Sequence, residues 1–264
     1  MNILALEFSS EQRSAAVVQT RPGGLSQVVG STTTAAARTV QALSLIDQAL
    51  RQANARRDQV EGIVVGLGPG SYTGIRVAIA VAQAWQLARG VALWGVSSAD
   101  GIAAQARHAG CYGTLHVVID AQRNEFYHAV YEVSAVTTVE LSPLRLARRD
   151  EIERLAANGA LVVGPEAERR LPAGRVVFPH AAVLVELLVR GLERGPPAGR
   201  QPNPSESAVP EARAAGLTGG EQIPTGPAAF QEGGGVSGEK LEPIYLRETS
   251  FVKAPPSRRA QPGP

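Results

Sequence analysis

The amino-acid sequence predicts an α/β protein of two related halves, and three observations carry that reading. Three short apolar runs at 3–7, 14–19 and 25–29, separated by turn residues such as Pro22-Gly23, describe an antiparallel meander. Helix and strand patterns then alternate: a helix over 38–53, strands at 62–65 and 91–96, and a helix after each of those strands. A second strand-turn-strand unit opens at 115–133. A meander continued by parallel strands through helical crossovers is the winding of an actin-like, or ribonuclease-H-like, half, and the order βββαβαβα predicts that fold.

Taken in order, the first strand, Ile3-Leu4-Ala5-Leu6, ends at the carboxylate of Glu7. The 38–53 helix carries Leu43, Ile46, Leu50 and Ala53 on one stripe. Ser97 or Ser98 caps a helix running to about His108. In the second half, strands fall at 115–120 and 126–133, with further strand signal at 136–146. A helix at 150–157, strands at 161–163 and 175–178 and a helix at 181–193 complete it. Residues 1–112 thus form an N-terminal actin-like half, and 113–194 plus 239–252 a C-terminal half. Residues 195–238 are crowded with Gly, Pro, Ala and Ser and predict a disordered insertion, as 253–264 predict a disordered tail.

Composition narrows the function classes. Twenty-six basic and 24 acidic residues leave a formal charge of +2, with lysine only at Lys240 and Lys253. That balance builds no strong field for a nucleic acid, so any RNA contact is local or shared with a partner. The single cysteine, Cys111, excludes an internal disulfide and a multi-cysteine metal site and suits a reducing cytoplasm. No basic leader and no apolar run of membrane-spanning length is present, which predicts a soluble cytoplasmic protein without membrane contact.

The most informative stretch is Gly66-Leu67-Gly68-Pro69-Gly70-Ser71-Tyr72-Thr73-Gly74, followed by an alanine-rich helix closed at Gly90. A helix N-terminus behind glycines attracts anions. Yet no Lys-Ser/Thr pair follows, and Gly68-x-Gly70-x-x-x-Gly74 is one residue too long for the dinucleotide fingerprint. A sharp turn that aims the helix is the better reading. On that helix, Val77, Val81, Ala84, Trp85 and Ala88 form an apolar face suited to the sheet. A second face, with Ile79, Ala82, Gln83 and Gln86, carries no charge between Arg76 and Arg89, so it is either buried in the fold or a surface for a partner helix.

Candidate catalytic groups are sparse. Glu7 and Asp120 end the first strand of each half, where an actin-like fold would hold Mg²⁺ for phosphate chemistry; a turn-stabilising role for Asp120 and a surface or inter-strand contact for Glu7 are the better reading. The histidines His108, His116, His128 and His180 form no i, i+4 pair, so no helical zinc motif exists. Neither Ser71 nor Cys111 has a local base partner.

Five segments in order, Ile3-Leu4-Ala5-Leu6, Gly68-Pro69-Gly70-Ser71-Tyr72-Thr73-Gly74-Ile75-Arg76, Gly95-Val96-Ser97-Ser98, Ile119-Asp120-Ala121-Gln122-Arg123-Asn124-Glu125-Phe126-Tyr127 and Pro243-Ile244-Tyr245-Leu246-Arg247, resemble the TsaB (YeaZ) family. These are accessory proteins of threonylcarbamoyladenosine synthesis in tRNA. The Gly-Pro-Gly segment is shared with the catalytic TsaD family, whereas the Asp120 hairpin and the Pro243 segment favour TsaB. The resemblance implies a non-catalytic scaffold that pairs with a TsaD-type catalytic subunit and forms a homodimer when alone. It also implies a TsaE-type ATPase reached through the complex, and indirect contact with tRNA. It implies a partner interface at Leu43, Ile46, Leu50, Arg76, Ile79, Ala82, Gln83 and Gln86, positioned by Gly68, Pro69, Gly70, Ser71 and Gly74. It further implies no catalytic residue, no metal, and a vestigial nucleotide site at Glu7 and Asp120. Ser98 and Ile102 stand where the catalytic partner has a metal-binding His-x-x-x-His pair. Glu7 replaces the usual Asp and Gln122 a usual Arg, which argues against retained ATP binding. The competing readings are an actin-like ATPase or phosphotransferase using Glu7 and Asp120, and a zinc hydrolase.

Overall fold

The computed structural model describes residues 1–21, 26–35, 42–171, 173–194, 236–237, 241–244 and 246. The first half runs β1 (Asn2–Glu7), β2 (Arg13–Thr20), β3 (Ser26–Thr34), α1 (Ala42–Gln52), β4 (Gly62–Gly66), α2 (Tyr72–Arg89), β5 (Ala92–Val96) and α3 (Ser98–His108). The second repeats it: β6 (Gly113–Asp120), β7 (Glu125–Val133), β8 (Thr138–Arg148), α4 (Arg149–Ala157), β9 (Leu161–Gly164), α5 (Ala167–Arg170), β10 (Arg175–Val176) and α6 (Ala181–Arg194). Both halves are therefore βββαβαβα, as the sequence predicts.

Each half builds one sheet with the same internal order. The first is β5-β4-β1-β2-β3, with a two-residue strand β11 (Val236–Ser237) added beside β5; the second is β10-β9-β6-β7-β8. β1 pairs antiparallel with β2 and parallel with β4, and β6 does the same with β7 and β9. The central strands read as apolar runs because both faces of each sheet are covered. Leu4, Leu6, Ile63 and Val65 pack under α1 and α2, while Ile3, Ala5, Val64 and Trp94 pack against α6.

The covering helices are exchanged between the halves. α3, from the first half, buries Ala99, Ile102, Ala103 and Ala106 on the second sheet against Leu115, Val117 and Tyr131. α6, from the second half, buries Ala181, Leu184, Val185 and Leu188 on the first sheet. The far face of the second sheet is closed by Ile152 and Ala156 of α4 and by Ala167 of α5.

Differences from the sequence reading have local causes. β3 runs on to Thr34 because its β-branched threonines continue the ladder with Ser14 and Ala15. α5 carries no apolar periodicity over its four residues and gives no sequence signal. Leu241 and Ile244 join the core under α1 and α2, and the Ile244 amide donates to the Leu67 carbonyl at 2.9 Å. The sequence reading had assigned 239–252 to the second half, whereas these two residues dock on the first. The expected insertion, apart from 236–237, and the expected tail lie outside the described residues, as do the Pro22-Gly23 turn and the start of the 38–53 helix. Among the described residues, no helix is long and apolar enough to cross a membrane.

Candidate partner interface

The glycine-rich loop places α2. Ser71 caps the helix, its Oγ accepting from the Gly74 amide at 3.3 Å, and Gly90 closes it at φ +67 with its amide donating to Gln86. The β1–β2 turn is pressed against the helix start: the Ser71 amide donates to the Ser9 carbonyl at 2.6 Å. A Cβ at Gly70 would sit 2.1 Å from the Ser9 carbonyl oxygen, and one at Gly74 2.0 Å from that of Phe8. Both glycines are thus required for close backbone approach. The chain's own carbonyls face the start of α2, where an anion would otherwise be attracted.

Behind the loop lies a buried polar node. Glu7 is fully buried; its carboxylate accepts from the Ser9 amide at 2.7 Å and from the Ser98 hydroxyl at 2.8 Å. Ser98 Oγ also accepts from the Gly68 amide at 3.1 Å, and the Ser98 amide donates to Gly68 O at 2.8 Å. β1, the loop and the first turn of α3 are thereby tied together. Burial pushes the Glu7 carboxyl above its usual range, and the Ser9 and Ser98 hydrogen bonds offset part of that.

Asp120 ends β6. It is paired with Arg170 at 2.7 Å, and it accepts from the Gln122 amide at 2.9 Å. A polar cavity of about 190 Å³ beside it is lined by Gln122, Arg123, Asn124, Arg149 and Arg170 among others, without Glu7. Glu7 is held by Ser9 and Ser98, and Asp120 by Arg170 and Gln122. Ser98 and Ile102 are both fully buried, Ser98 in the node and Ile102 in the core of the second sheet. Among the described residues, no three His, Cys, Asp or Glu side chains are placed to hold a metal ion. His116 and His128 stack instead, with Nδ1 of one 3.0 Å from Nε2 of the other.

The structure divides α2 differently from the sequence reading: Val77, Val81 and Trp85 are only partly buried against the core, and Ala84 and Ala88 are exposed. Ile75, Ala78, Ile79 and Ala82 are the buried side of α2, and α1 buries Leu45, Ile46, Ala49 and Leu50. Ile46, Leu50, Ile79 and Ala82 are therefore core residues and not a partner surface. Two small alanines at i and i+4, Ala78 and Ala82, let α2 approach the sheet closely, and Val77, Val81 and Trp85 pack partly buried at the edge of the same core. Of the remaining expected positions, Leu43 is half exposed, Gln83 is exposed and Gln86 is intermediate. Arg76 is exposed, with its guanidinium over the Tyr72 ring.

What faces outward is apolar. Between α1 and α2 runs an open groove of about 580 Å³ lined by Leu43, Ala80, Val81, Ala84, Trp85 and Ala88, with Arg57, Asp58 and Arg89. Leu87, on the same exposed stretch of helix, is 91 % exposed. The sequence signal that marks this face is the Ala80, Ala84, Ala88 repeat, a row of small residues one turn apart.

Comparison with known proteins places this architecture. The family model described as TsaD, tRNA N6-adenosine threonylcarbamoyltransferase, matches residues 18–192. The chain belongs to this TsaD family. Within the family it is a TsaB/YeaZ-type protein, as the order of its motifs had implied. A tRNA threonylcarbamoyladenosine biosynthesis protein TsaB from Bacillus subtilis is 33 % identical over 95 residues, 35 % of this chain and 40 % of that one. An uncharacterized Mycobacterium tuberculosis protein is 37 % identical over 117 residues, 44 % of this chain and 50 % of its own. The chain thus spans about half the length of the curated relatives it matches. A Pseudomonas aeruginosa structure with similarity to the peptidase YEAZ superposes with a TM-score of 0.59 at 24 % identity, covering 80 % of this chain and 98 % of that one, and shares the fold.

Proposed function

We propose that this TsaD-family chain is a non-catalytic accessory subunit in tRNA threonylcarbamoyladenosine biosynthesis. In this reading it pairs with a TsaD-type catalytic subunit through the α1/α2 groove. The observation that carries it is the groove itself, an apolar strip along α2 edged by Arg57, Asp58 and Arg89, with Leu87 bare beside it; contiguous exposed apolar surface of this kind marks protein contacts. The same strip is the surface by which two copies would associate when the catalytic subunit is absent. A TsaE-type ATPase and tRNA then join through the complex.

Substitutions must sit on the outward face to test this. Ala84→Arg and Leu87→Glu place charge in the strip without touching the core, and each is expected to abolish co-elution with the catalytic subunit in size-exclusion chromatography. Co-elution unchanged in both variants would remove the groove from consideration. The ATPase reading is opposed by the complete burial of Glu7, whose carboxylate is taken up by the Ser9 amide and the Ser98 hydroxyl. Absence of heat on titration with millimolar Mg-ATP is the expected result, and binding lost in Asp120→Ala would reinstate that reading.

A further inference from the structure

A cavity of about 180 Å³ lies between α3, α6 and the start of β8, lined in part by Asp100, Arg107, Thr138, Glu186 and Arg190. Its charges are unevenly matched. Glu186 alone serves three bases: it pairs with Arg107, with Arg190 at 3.0 Å, and with His108 Nε2 at 2.9 Å. The two arginines also donate to the carbonyls of Ala135 at 3.3 Å and Val136 at 3.0 Å, which fixes them on one side. Asp100, by contrast, has no cation within ion-pair distance among the described residues, and its partner is the Tyr131 hydroxyl, donating to one carboxylate oxygen at 2.7 Å. Burial alone pushes its carboxyl up, as it does wherever a carboxylate lacks a counter-charge. The Thr138 hydroxyl is buried and has no hydrogen-bond partner among the described residues. Orphaned polar atoms of this kind are costly unless something occupies the space beside them.

We propose that this cavity binds a small zwitterion, an amino acid, with its ammonium group on Asp100 and Thr138 and its carboxylate on the Arg107–Arg190 side. An ammonium supplies the cation that Asp100 lacks and a donor for Thr138. A carboxylate takes the positive charge left over when two guanidiniums share one Glu186. The volume admits one molecule of a few heavy atoms and no nucleotide. The proposal is independent of the partner groove.

Calorimetry and thermal-shift measurements on the full chain, with the twenty proteinogenic L-amino acids supplied singly, test it. Acetate and methylammonium serve as half-ligands. At least one small amino acid is expected to bind with one-to-one stoichiometry, while neither half-ligand matches it. Asp100→Asn, which keeps the hydrogen bond to Tyr131, is expected to weaken binding at least about tenfold, and Thr138→Val to weaken it less. If Asp100→Asn does not fold, the Thr138→Val titration decides alone. No heat and no shift with any amino acid on the order of millimolar overturns the proposal, as does equal binding by acetate or undiminished binding by the folded variants.

Discussion

Acid should weaken this protein through His128. The ring is 3 % exposed, stacked on His116 and facing Arg145, and its Nδ1 is buried without a hydrogen-bond partner among the described residues. Burial, with the His116 and Arg145 charges, lowers its pKa from 6.5 to about 4. A base whose folded pKa lies below its unfolded one takes up its proton first in the unfolded chain. Its contribution to stability is complete above pH 6.5 and drains away as pH falls towards 4. At about 1.4 kcal/mol for each tenfold change in proton affinity, the neutral ring accounts for about 3 kcal/mol across that window. His116 is shifted in the same direction by burial, whereas Glu7, Asp100 and Glu166 are shifted up and oppose it. The clean measurement is therefore a difference. Urea unfolding of the wild type and of His128→Gln, which keeps a partner for His116 but takes up no proton, is followed from pH 7 to pH 4. The wild type is expected to lose about 3 kcal/mol more than the variant. Two curves that stay parallel would refute the assignment of a buried, neutral His128.

Other outcomes follow from the same coordinates. Gly66→Ala would put a Cβ 2.0 Å from Glu7 Oε2; displacing that buried carboxylate should cost about 3 kcal/mol or more in thermal unfolding. Gly90→Ala meets no atom of the described residues within 4 Å and carries the strain of φ +67, a loss of about 1 kcal/mol by the same assay. Ile79→Glu should unfold the protein or cost about 3 kcal/mol, because Ile79 is 6 % exposed. Leu87→Glu should leave stability within about 0.5 kcal/mol of wild type while abolishing partner binding.

The repeated βββαβαβα order was legible because each unit announces itself locally, the meanders by turn residues and alternating strands, the crossovers by helical periodicity and Ser or Gly caps. The orientation of α2 was not. Ile75, Ala78, Ile79 and Ala82 form one apolar stripe and Val77, Val81 and Trp85 another on a helix with no charge between Arg76 and Arg89. Which stripe is fully buried is settled by packing against the sheet, where Ile75, Ala78, Ile79 and Ala82 join Leu4, Leu6, Ile63 and Val65, a tertiary fact absent from the helix's own pattern. The fate of Glu7 depends on Ser98, 91 residues away, so its conversion from candidate metal ligand to buried anchor had no local signal. The Asp100 cavity needs α3, α6 and β8 together and is equally invisible in any one of them.

The exchange of α3 and α6 bears on how the chain is made. When β5 leaves the ribosome, the face of the first sheet formed by Ile3, Ala5, Val64 and Trp94 has no cover, because Leu184, Val185 and Leu188 are still to be synthesised. A nascent chain carrying only residues 1–112 therefore presents a sticky apolar surface, and proteolysis between the halves should not release a free-standing fragment. The two repeats mature together, and only after nearly all of the second has been translated does the first become finished.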